Sequence, residues 1–387
     1  MSDPRYPVGI PPTRERVFHT LDALRGIAAL GVVAGHLSFF LRPLAVPGSY
    51  LAVDLFFMMS GVVIAHAYDE RFLAGMTTAQ FMRARFIRLY PLYLLGTVLG
   101  AAVAVAMVHG SNPDRWSLES VLICASLAIM LVPNLFGIAN SWLYPLDIPC
   151  WSLLFEILVN LAYRVVWTVL DARRLLIICL LSGVGVALTI AMWGHIDQGS
   201  TSPAFLRGVV RTIFGFSVGV LIARKTGHAP RRKSAPVCLL ICAAVVVALI
   251  GWPHGASRAF WDASCVLLLF PLIVYTGTVI DPPVWLRPIA TFLGLTSYAI
   301  YILHGPLAKV LFSIFGRLSG RLLDAAAPYT GILVIGVLFL LGWLIDRIYD
   351  VPLRRTLSRA LPSAPRPALS ASPHGDQPLD KSVKGYL

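Results

Sequence analysis

The feature that most constrains this chain is a series of about ten apolar segments, each close to the length of a membrane-spanning helix. The hydrocarbon core of a bilayer requires roughly 20 apolar residues per helix. The segments take up more than half of the 387 residues, and only 13% of the residues are charged, against about 25% in a soluble domain. We therefore predict an all-α integral membrane protein with no room for a second globular domain.

The predicted spans follow one another along the chain, at residues 20–41, 51–68, 89–109, 151–170, 175–194, 205–223, 236–252, 260–280, 289–314 and 329–346. A further apolar stretch, 120–136, decides the topology. If it does not cross, the loops on the N-terminal side hold 19 Lys and Arg and the opposite loops hold 5; if it crosses, the numbers become 10 and 14. Because basic residues accumulate in cytosolic loops, we expect ten transmembrane helices, both termini in the cytosol and a multi-pass protein of the cell inner membrane.

Composition divides the chain into three parts. Residues 1–19 are polar and are expected to form a cytosolic segment; the first span lacks a small-residue cleavage site, so we expect no cleaved signal peptide. Residues 20–355 form the predicted transmembrane domain. Residues 356–387 form a cytosolic tail that is rich in Pro, Ser and Ala and is expected to be disordered.

The formal net charge of +13 raises the question of nucleic acid binding. The basic residues lie in short loops between apolar spans rather than in one patch, so membrane orientation explains them and no nucleic acid partner is expected. The cysteines lie mostly inside apolar runs and show neither a CxxC pair nor zinc-type spacing. We interpret all six as small core residues and expect no metal site; they are Cys124, Cys150, Cys179, Cys238, Cys242 and Cys265.

Arg25 and His36 are ionisable residues inside the first predicted span. Burying such groups in a bilayer costs several kcal/mol, so each is a candidate for function. Their separation of eleven residues corresponds to three helical turns plus roughly 20°, so both point the same way, roughly 16 Å apart along the axis. We predict that they line one cavity. In the alternative, Arg25 extends to the headgroups and His36 bonds a neighbouring helix.

Further polar residues accompany the next spans. Asp54 opens the second span, and Arg85 and Arg88 precede Tyr90-Pro91 in the predicted loop after it. Being three apart at a helix start, these arginines point to one side and suit a phosphate. Ordinary positive-inside charges would look similar.

The fourth and ninth spans contain the remaining candidates. Trp151 precedes Glu156 near the predicted outer end of its helix, and Tyr298 leads through Tyr301 to His304. By the charge-derived topology, His36, Glu156 and His304 fall in the outer part of the membrane, whereas the arginines at 25, 85 and 88 lie near the cytosol. The predicted site is therefore polar at both ends of one channel.

Residues 110–150 are predicted to form one long outer segment that carries Trp116, Trp142 and Tyr144. Their aromatic faces could stack on a sugar. An interfacial aromatic belt is the competing interpretation for each of them.

These residues together resemble the membrane-bound acyltransferase 3 family, whose members modify surface polysaccharides, lipopolysaccharide, peptidoglycan and some antibiotics. The resemblance runs from about residue 20 to 355. Its most specific element is an Arg or Lys followed after ten residues by a His, seen within LDALRGIAALGVVAGH. The other similar segments are VDLFFMMSG, RFIRLYPLY, Trp151-Ser152-Leu153 with Glu156, and TSYAIYILH. Their order and spacing carry the resemblance.

Two departures from the family pattern stand out. The C-terminal acidic-x-Pro element reads Asp350-Val351-Pro352 where Glu is commoner, which puts the role of that carboxylate in doubt. No extracytoplasmic esterase-like domain follows the last span, so we expect a stand-alone member.

The resemblance implies an acyl-coenzyme A donor, by default acetyl-coenzyme A, used as a co-substrate rather than a bound cofactor. Its diphosphate would bind Arg25, Arg85 and Arg88, and its pantetheine arm could cover the roughly 16 Å toward His36. An unprotonated histidine in an apolar cavity suits a general base, and we assign His36 that role. Glu156 and His304 would orient it or hold the acceptor, and either Tyr298 or Tyr301 would bond the thioester oxygen.

The expected reaction is transfer of an acetyl group to a hydroxyl of an extracytoplasmic or membrane-linked acceptor. The default acceptor is a surface polysaccharide or a lipid-linked sugar, and membrane lipids are expected as further partners. Succinyl or longer acyl groups, and a small-molecule acceptor such as a macrolide, remain open. A secondary transporter would also bury ionisable residues, but the two halves show no inverted repeat. The unrelated membrane-bound O-acyltransferases also use a membrane histidine, without the Arg-x10-His spacing.

Overall fold

The computed structural model describes residues 17–108 other than 43 and 45, and residues 116–227, 231–251, 255–315 and 326–359. These residues are almost entirely helical. The helices are α1 His19–His36, α2 Ala52–Leu73, α3 Thr78–Val108, α4 Leu118–Ile129, α5 Trp151–Val166, α6 Ala172–Trp193, α7 Phe205–Thr226, α8 Ala235–Ile250, α9 Ala256–Ser264, α10 Phe270–Val279, α11 Arg287–Phe315, α12 Tyr329–Ile345 and α13 Val351–Arg359. Two-residue strands, β1 Arg232–Lys233 and β2 Ile280–Asp281, pair in parallel.

Eight helical segments among the described residues are long and apolar enough to cross a membrane. The predictions at 20–41 and 236–252 correspond to α1 and α8, which have 18 and 16 residues. Turns of π-helix join α9 to α10 and α12 to α13, so each of those pairs forms one continuous rod. The all-α membrane architecture is thus confirmed, whereas the number of ten spans and the cytosolic position of the termini remain predictions.

Two predicted boundaries were wrong. Helix α3 begins at Thr78, so Arg85 and Arg88 lie seven and ten residues inside a helix rather than in a loop that ends at a helix start. Arginines in its first turns lower the local hydropathy, and this hid the helix. At the other end, the rod that begins with α12 continues through α13 to Arg359, beyond the predicted limit at 355.

The helical part of the stretch 120–136 belongs to α4, whose 12 residues span about 18 Å, less than the roughly 30 Å of a hydrocarbon core. Its length supports the prediction that this stretch does not cross. Ser117 caps the helix by accepting a hydrogen bond from the backbone N–H of Ser120. Beyond α4, the outer segment is held by backbone hydrogen bonds from Leu143 to Ser200 and from Ser202 to Ser141.

The aromatic residues of the outer segment differ from one another in exposure. Trp116 and Tyr144 are buried, so the prediction that their faces stack on a sugar does not fit this structure. The Tyr144 hydroxyl donates to the Leu131 carbonyl at 2.9 Å, which shows that it packs the segment together. Trp142 is 37% exposed and retains an open face.

Two tight helix interfaces position the site. Helices α2 and α7 approach so closely that a Cβ on Gly61 would collide with the Phe216 carbonyl, and one on Gly219 with the Met58 carbonyl. Helix α1 packs against α11, where a Cβ on Gly26 would collide with Leu293. Small residues at helix contacts are typical of membrane bundles, because they let backbones meet.

The six cysteines are free thiols, five of them buried, which confirms their interpretation as core residues. The predicted N-terminal segment up to residue 16 and the predicted disordered tail from residue 360 lie outside the described residues.

Candidate active site

His36 and His304 meet at the end of α1. The two ring centroids are 4.9 Å apart, and the rings are nearly perpendicular, at 84°. His36 is the last residue of α1 and is exposed, whereas His304 on α11 is buried. The structure therefore brings together two histidines that are 268 positions apart in the sequence, one open and one behind it.

The surroundings of His304 define which ring nitrogen is available. Its Nδ1 lies 3.2 Å from the Ile300 carbonyl oxygen, which can only accept, so Nδ1 carries the proton. Its Nε2 is then an acceptor, and this buried atom has no hydrogen-bond partner among the described residues. A neutral imidazole with a free lone pair beside His36 can accept a proton or hold a hydroxyl.

Tyr301 lies one turn before His304, with ring centroids 6.0 Å apart. Its hydroxyl is 2.7 Å from the Ser152 hydroxyl and 3.2 Å from the Pro149 carbonyl. The Phe56 ring covers it at 5.5 Å. Tyr301 and Ser152 therefore form the next polar layer below the histidine pair, built from α11 and the start of α5.

Glu156 lies away from the histidines and binds Arg85. Its Oε1 accepts from Arg85 at 2.7 Å and from the Ser60 hydroxyl at 3.1 Å. The expectation that Glu156 is at the outer side and Arg85 near the cytosol was wrong, because the two side chains meet at one depth. Arg85 and Ser60 are seven and eight residues from the starts of α3 and α2, about 10 to 12 Å along helices that run in opposite directions.

Arg88, three residues beyond Arg85 on α3, and Tyr298 of α11 form a further polar layer. Arg88 lies 3.7 Å from the Asp350 carboxylate, which Arg354 binds more closely at 2.6 Å. Its guanidinium stands 5.5 Å from the Tyr298 ring centre. The Tyr298 hydroxyl donates to the Leu89 carbonyl at 2.6 Å, so its only proton is already used. Of the two tyrosines suggested for the thioester oxygen, Tyr301 adjoins the histidine pair, with its ring centre 6.0 Å from that of His304, so its position favours it.

Arg25 occupies the other end of α1, as its position in the sequence predicts. It forms an ion pair with Asp22 one turn earlier, at 3.1 Å, and the two side chains are 28% and 21% exposed. An unbroken helix joins Arg25 to His36, so the spacing of roughly 16 Å holds. The Asp22 side chain lies against Gly294 of α11.

Asp54 is bound by Arg211 of α7 in a two-pronged ion pair, with N to O distances of 3.0 and 2.7 Å. Arg211 also donates to the carbonyls of Gln198 and Tyr50, and its guanidinium stands 5.6 Å from the Trp151 ring centre. Both charged side chains are buried. Asp54 and Trp151 thus belong to a structural clamp beside the histidine pair.

Sequence reasoning missed three residues of this region. Arg211 lies inside a predicted span and could have been found by the rule that singled out Arg25. Asp197 is an exposed carboxylate in the α6–α7 loop, and its charge acts on His36 and on Arg211. No motif marks it, since only folding brings it there.

The third is Asp147, just before the span Ile148–Val169. It is buried, with one carboxylate oxygen bound to the Cys150 thiol at 3.0 Å and the other without a partner among the described residues. That second oxygen lies 2.5 Å from where a Cβ on Gly305 would stand, directly beside His304 in sequence. Burial raises the pKa of Asp147 to about 7.

The polar side chains of α2, α3, α5 and α11 therefore form a continuous line through the bundle. From Tyr298 to His304 this line rises about 9 Å along α11. Within the described residues, no three His, Cys, Asp or Glu side chains form a group that could hold a metal ion. The arrangement offers imidazole bases at one end and guanidinium groups toward the other.

Comparisons with known proteins show what this chain is similar to. The family model for acyltransferase 3, described as an acyltransferase domain, matches residues 18–347. Acyltransferase MdmB of Streptomyces mycarofaciens is 25% identical over 399 residues, covering 92% of this chain and 96% of its own length. Protein 2 in the picA locus of Rhizobium radiobacter is 41% identical over 162 residues, 40% of this chain and 82% of its own.

A putative O-acetyltransferase of Staphylococcus aureus (strain COL) is 21% identical over 375 residues, which cover 88% of this chain. The chain spans only 58% of that relative's length. No solved structure matches the chain. The match of the family model to nearly the whole helical bundle shows that this chain belongs to the acyltransferase 3 family and is a membrane acyltransferase.

Proposed function

We propose that the protein transfers an acetyl group from cytosolic acetyl-coenzyme A to a hydroxyl of an extracytoplasmic or membrane-linked sugar, as an O-acyltransferase of the inner membrane. The observation that carries the proposal is the contact between the exposed His36 ring and the buried His304 ring, 4.9 Å apart. An imidazole pair with one free nitrogen can handle the proton of an acceptor hydroxyl. A small molecule such as a macrolide is the alternative acceptor.

In the proposed reaction, His36 removes the proton from the acceptor hydroxyl, and the acceptor oxygen attacks the thioester carbonyl carbon. The tetrahedral intermediate collapses as the carbon–sulfur bond breaks, and His36 returns the proton to the departing thiolate. Protons therefore balance within one turnover. Tyr301 would stabilise the oxyanion, and His304 would hold His36 or the acceptor hydroxyl through its free Nε2.

The donor would approach from the side of the arginines. Arg88 is the best placed of them, because its contact with Asp350 is long at 3.7 Å and its side chain is 39% exposed. Arg85 is held by Glu156 at 2.7 Å and is 11% exposed, so a phosphate would have to displace that carboxylate. We therefore assign Arg88 and Arg25 the larger share of the donor phosphates, with Arg85 positioning Glu156.

The test is transfer in proteoliposomes with radiolabelled acetyl-coenzyme A on one side of the membrane. The expected result is label on a sugar acceptor, together with release of free coenzyme A on the donor side. Movement of intact solute without thioester cleavage would instead support a secondary transporter. Label confined to a macrolide-type small molecule would move the acceptor to the alternative.

A further inference from the structure

A cavity separate from the histidine site lies between α11 and α12. Its volume is about 530 Å³, and its lining includes Arg287 at the first residue of α11 and Arg347 just beyond α12. Arg287 precedes His304 by 17 residues of one helix, about 25 Å along the axis. Nothing in the proposed acyl transfer uses this cavity.

The two arginines give the cavity a net positive charge. The Arg287 Nε atom is buried and has no hydrogen-bond partner among the described residues. Its nearest carboxylate, on Asp281, lies 3.7 Å away and is bound more closely by Arg231 at 2.8 Å. Arg287 is therefore able to bind an anion.

Arg347 is held differently but is equally available. Its guanidinium stands 4.5 Å from the Trp343 ring centre, and no ion pair of Arg347 is found within the described part of the chain. Asp346 also lines the cavity and lies 3.4 Å from Arg354, which binds Asp350 more closely at 2.6 Å. Two arginines against one aspartate leave the lining with a net positive charge. Stacking on Trp343 fixes the guanidinium while leaving its donors free.

The rest of the lining is apolar and continues onto the outer surface of the bundle. Phe292 and Leu295 line the cavity and are 42% and 55% exposed. On a membrane helix such exposed apolar side chains face lipid chains. The cavity therefore combines a cationic end with an apolar wall, which matches an anionic amphiphile.

The cavity lies on the same side of the bundle as the start of α1, because His19 Nδ1 is 3.2 Å from the Thr291 hydroxyl, and Thr291 lines the cavity. The charge count assigns that side to the cytosol. Cytosolic leaflets carry anionic lipids, and basic pockets between transmembrane helices on that side bind their headgroups.

We propose that the cavity between α11 and α12 binds an anionic phospholipid of the cytosolic leaflet, with its phosphodiester on Arg287 and Arg347 and an acyl chain along Phe292 and Leu295. This site is independent of the acyl-transfer chemistry.

The test is native mass spectrometry of the detergent-purified protein titrated with phosphatidylglycerol or with phosphatidylcholine of the same acyl chains. We expect selective binding of phosphatidylglycerol. The variant Arg287→Gln/Arg347→Gln should lose affinity by at least about tenfold, since each arginine contributes to anionic lipid binding. Arg347→Gln alone should lose part of it, and this single change breaks no ion pair among the described residues.

The matched control is Arg173→Gln/Arg355→Gln, which removes two exposed arginines from the same predicted side but outside the cavity. Its affinity for phosphatidylglycerol should remain that of the wild type. Equal binding of both lipids, or equal losses in control and cavity variants, would overturn the proposal. Displacement of bound lipid by 3′-phosphoadenosine 5′-phosphate would also overturn it, because the cavity would then be a nucleotide site.

Discussion

At the scale of a residue, His304 carries a buried ring nitrogen whose lack of a partner among the described residues costs stability. A buried imidazole nitrogen without a partner destabilises a fold by about 1–3 kcal/mol. Its Nε2 is such an atom among the described residues, and it adjoins the exposed His36. Glycine and apolar side chains would pack there more favourably, so we attribute the histidine to the chemistry proposed for the site.

The residue-scale prediction for the donor concerns Arg88. Arg88→Gln should weaken acetyl-coenzyme A binding about tenfold or more, because a charged hydrogen bond to phosphate contributes about 1.5–3 kcal/mol. Asp350 keeps its closer partner Arg354, so folding should be retained. Isothermal titration in detergent measures the affinity. An unchanged dissociation constant, matching that of Arg173→Gln, would reduce Arg88 to a topology marker.

Asp147 provides a prediction about pH. Its pKa is about 7 in the folded protein, against about 3.9 in an unfolded chain. Between these values the folded state binds the proton more tightly, so stability falls as pH rises from about 4 to about 7 and is constant above that. Asp147→Asn should remove the loss of stability that ionisation of Asp147 causes, and it should therefore raise the melting temperature at pH 8.

The measurement is thermal unfolding of wild type and Asp147→Asn in detergent at pH 5.5 and pH 8. The difference in melting temperature between the two proteins should be larger at pH 8. A difference that does not change with pH, or one that is larger at pH 5.5, would contradict the raised pKa.

At the scale of elements, packing of α2 against α7 holds the site together. The buried pair of Asp54 and Arg211 links the two helices near the histidines, and Gly61 and Gly219 let their backbones meet further along. A buried ion pair contributes little net stability, but removal of one partner is costly. The close backbone contact is therefore the feature whose disruption should be most informative.

Gly219→Ala should destabilise the protein by about 1–3 kcal/mol, because the added methyl group meets the Met58 carbonyl, which cannot move aside as a flexible side chain would. Gly336→Ala in α12 is the matched control, since a Cβ there meets nothing within 4 Å. Thermal unfolding in detergent compares the two. Equal melting temperatures would show that α2 and α7 are less tightly packed than this structure has them.

Sequence reasoning recovered the elements better than the contacts between them. Long apolar runs predicted the helices, and the eleven-residue spacing correctly placed Arg25 and His36 on one unbroken helix. The partnership of Arg85 with Glu156 could not be predicted, because it depends on the depth at which α3 and α5 cross. The hydropathy pattern predicted that this span starts at residue 89, eleven residues after the observed start of α3 at Thr78, so the depth of Arg85 in the membrane was misjudged.

Among the site residues, Arg25 and His36 were found because ionisable groups inside a span are costly to bury, whereas Arg211 was missed although the same rule applies to it. Arg211 is buried, yet it lies in none of the segments that resemble the family. Asp147 and Asp197 lie outside the spans in sequence, and only the folded chain brings them near the histidines. The two histidines could therefore be predicted from the sequence, whereas the acidic residues near them could be identified only from the folded structure.

At the scale of the whole molecule, orientation in the membrane decides whether the line of polar residues connects the cytosol with the outside. The count of 19 against 5 basic residues favours cytosolic termini. Reporter fusions after Lys233 and after Arg355 should both report the cytosol. A periplasmic signal at Lys233 would invert the whole bundle, because the neighbouring Arg231 donates to the Val17 carbonyl just before α1 at 2.8 Å, and the predicted side of the lipid cavity would be reversed.

The central claim is that His36 is the base of an acyl transfer, and that the diphosphate of the acyl donor binds at Arg25, about 16 Å away along α1. The most direct test compares His36→Ala and Arg25→Ala at low and saturating acetyl-coenzyme A, at matched expression, with His66→Ala as the control for losing a membrane histidine. His36→Ala should lower turnover by about 10² to 10⁴ at both concentrations, while Arg25→Ala should recover at saturation. Near-normal turnover by His36→Ala would contradict the account.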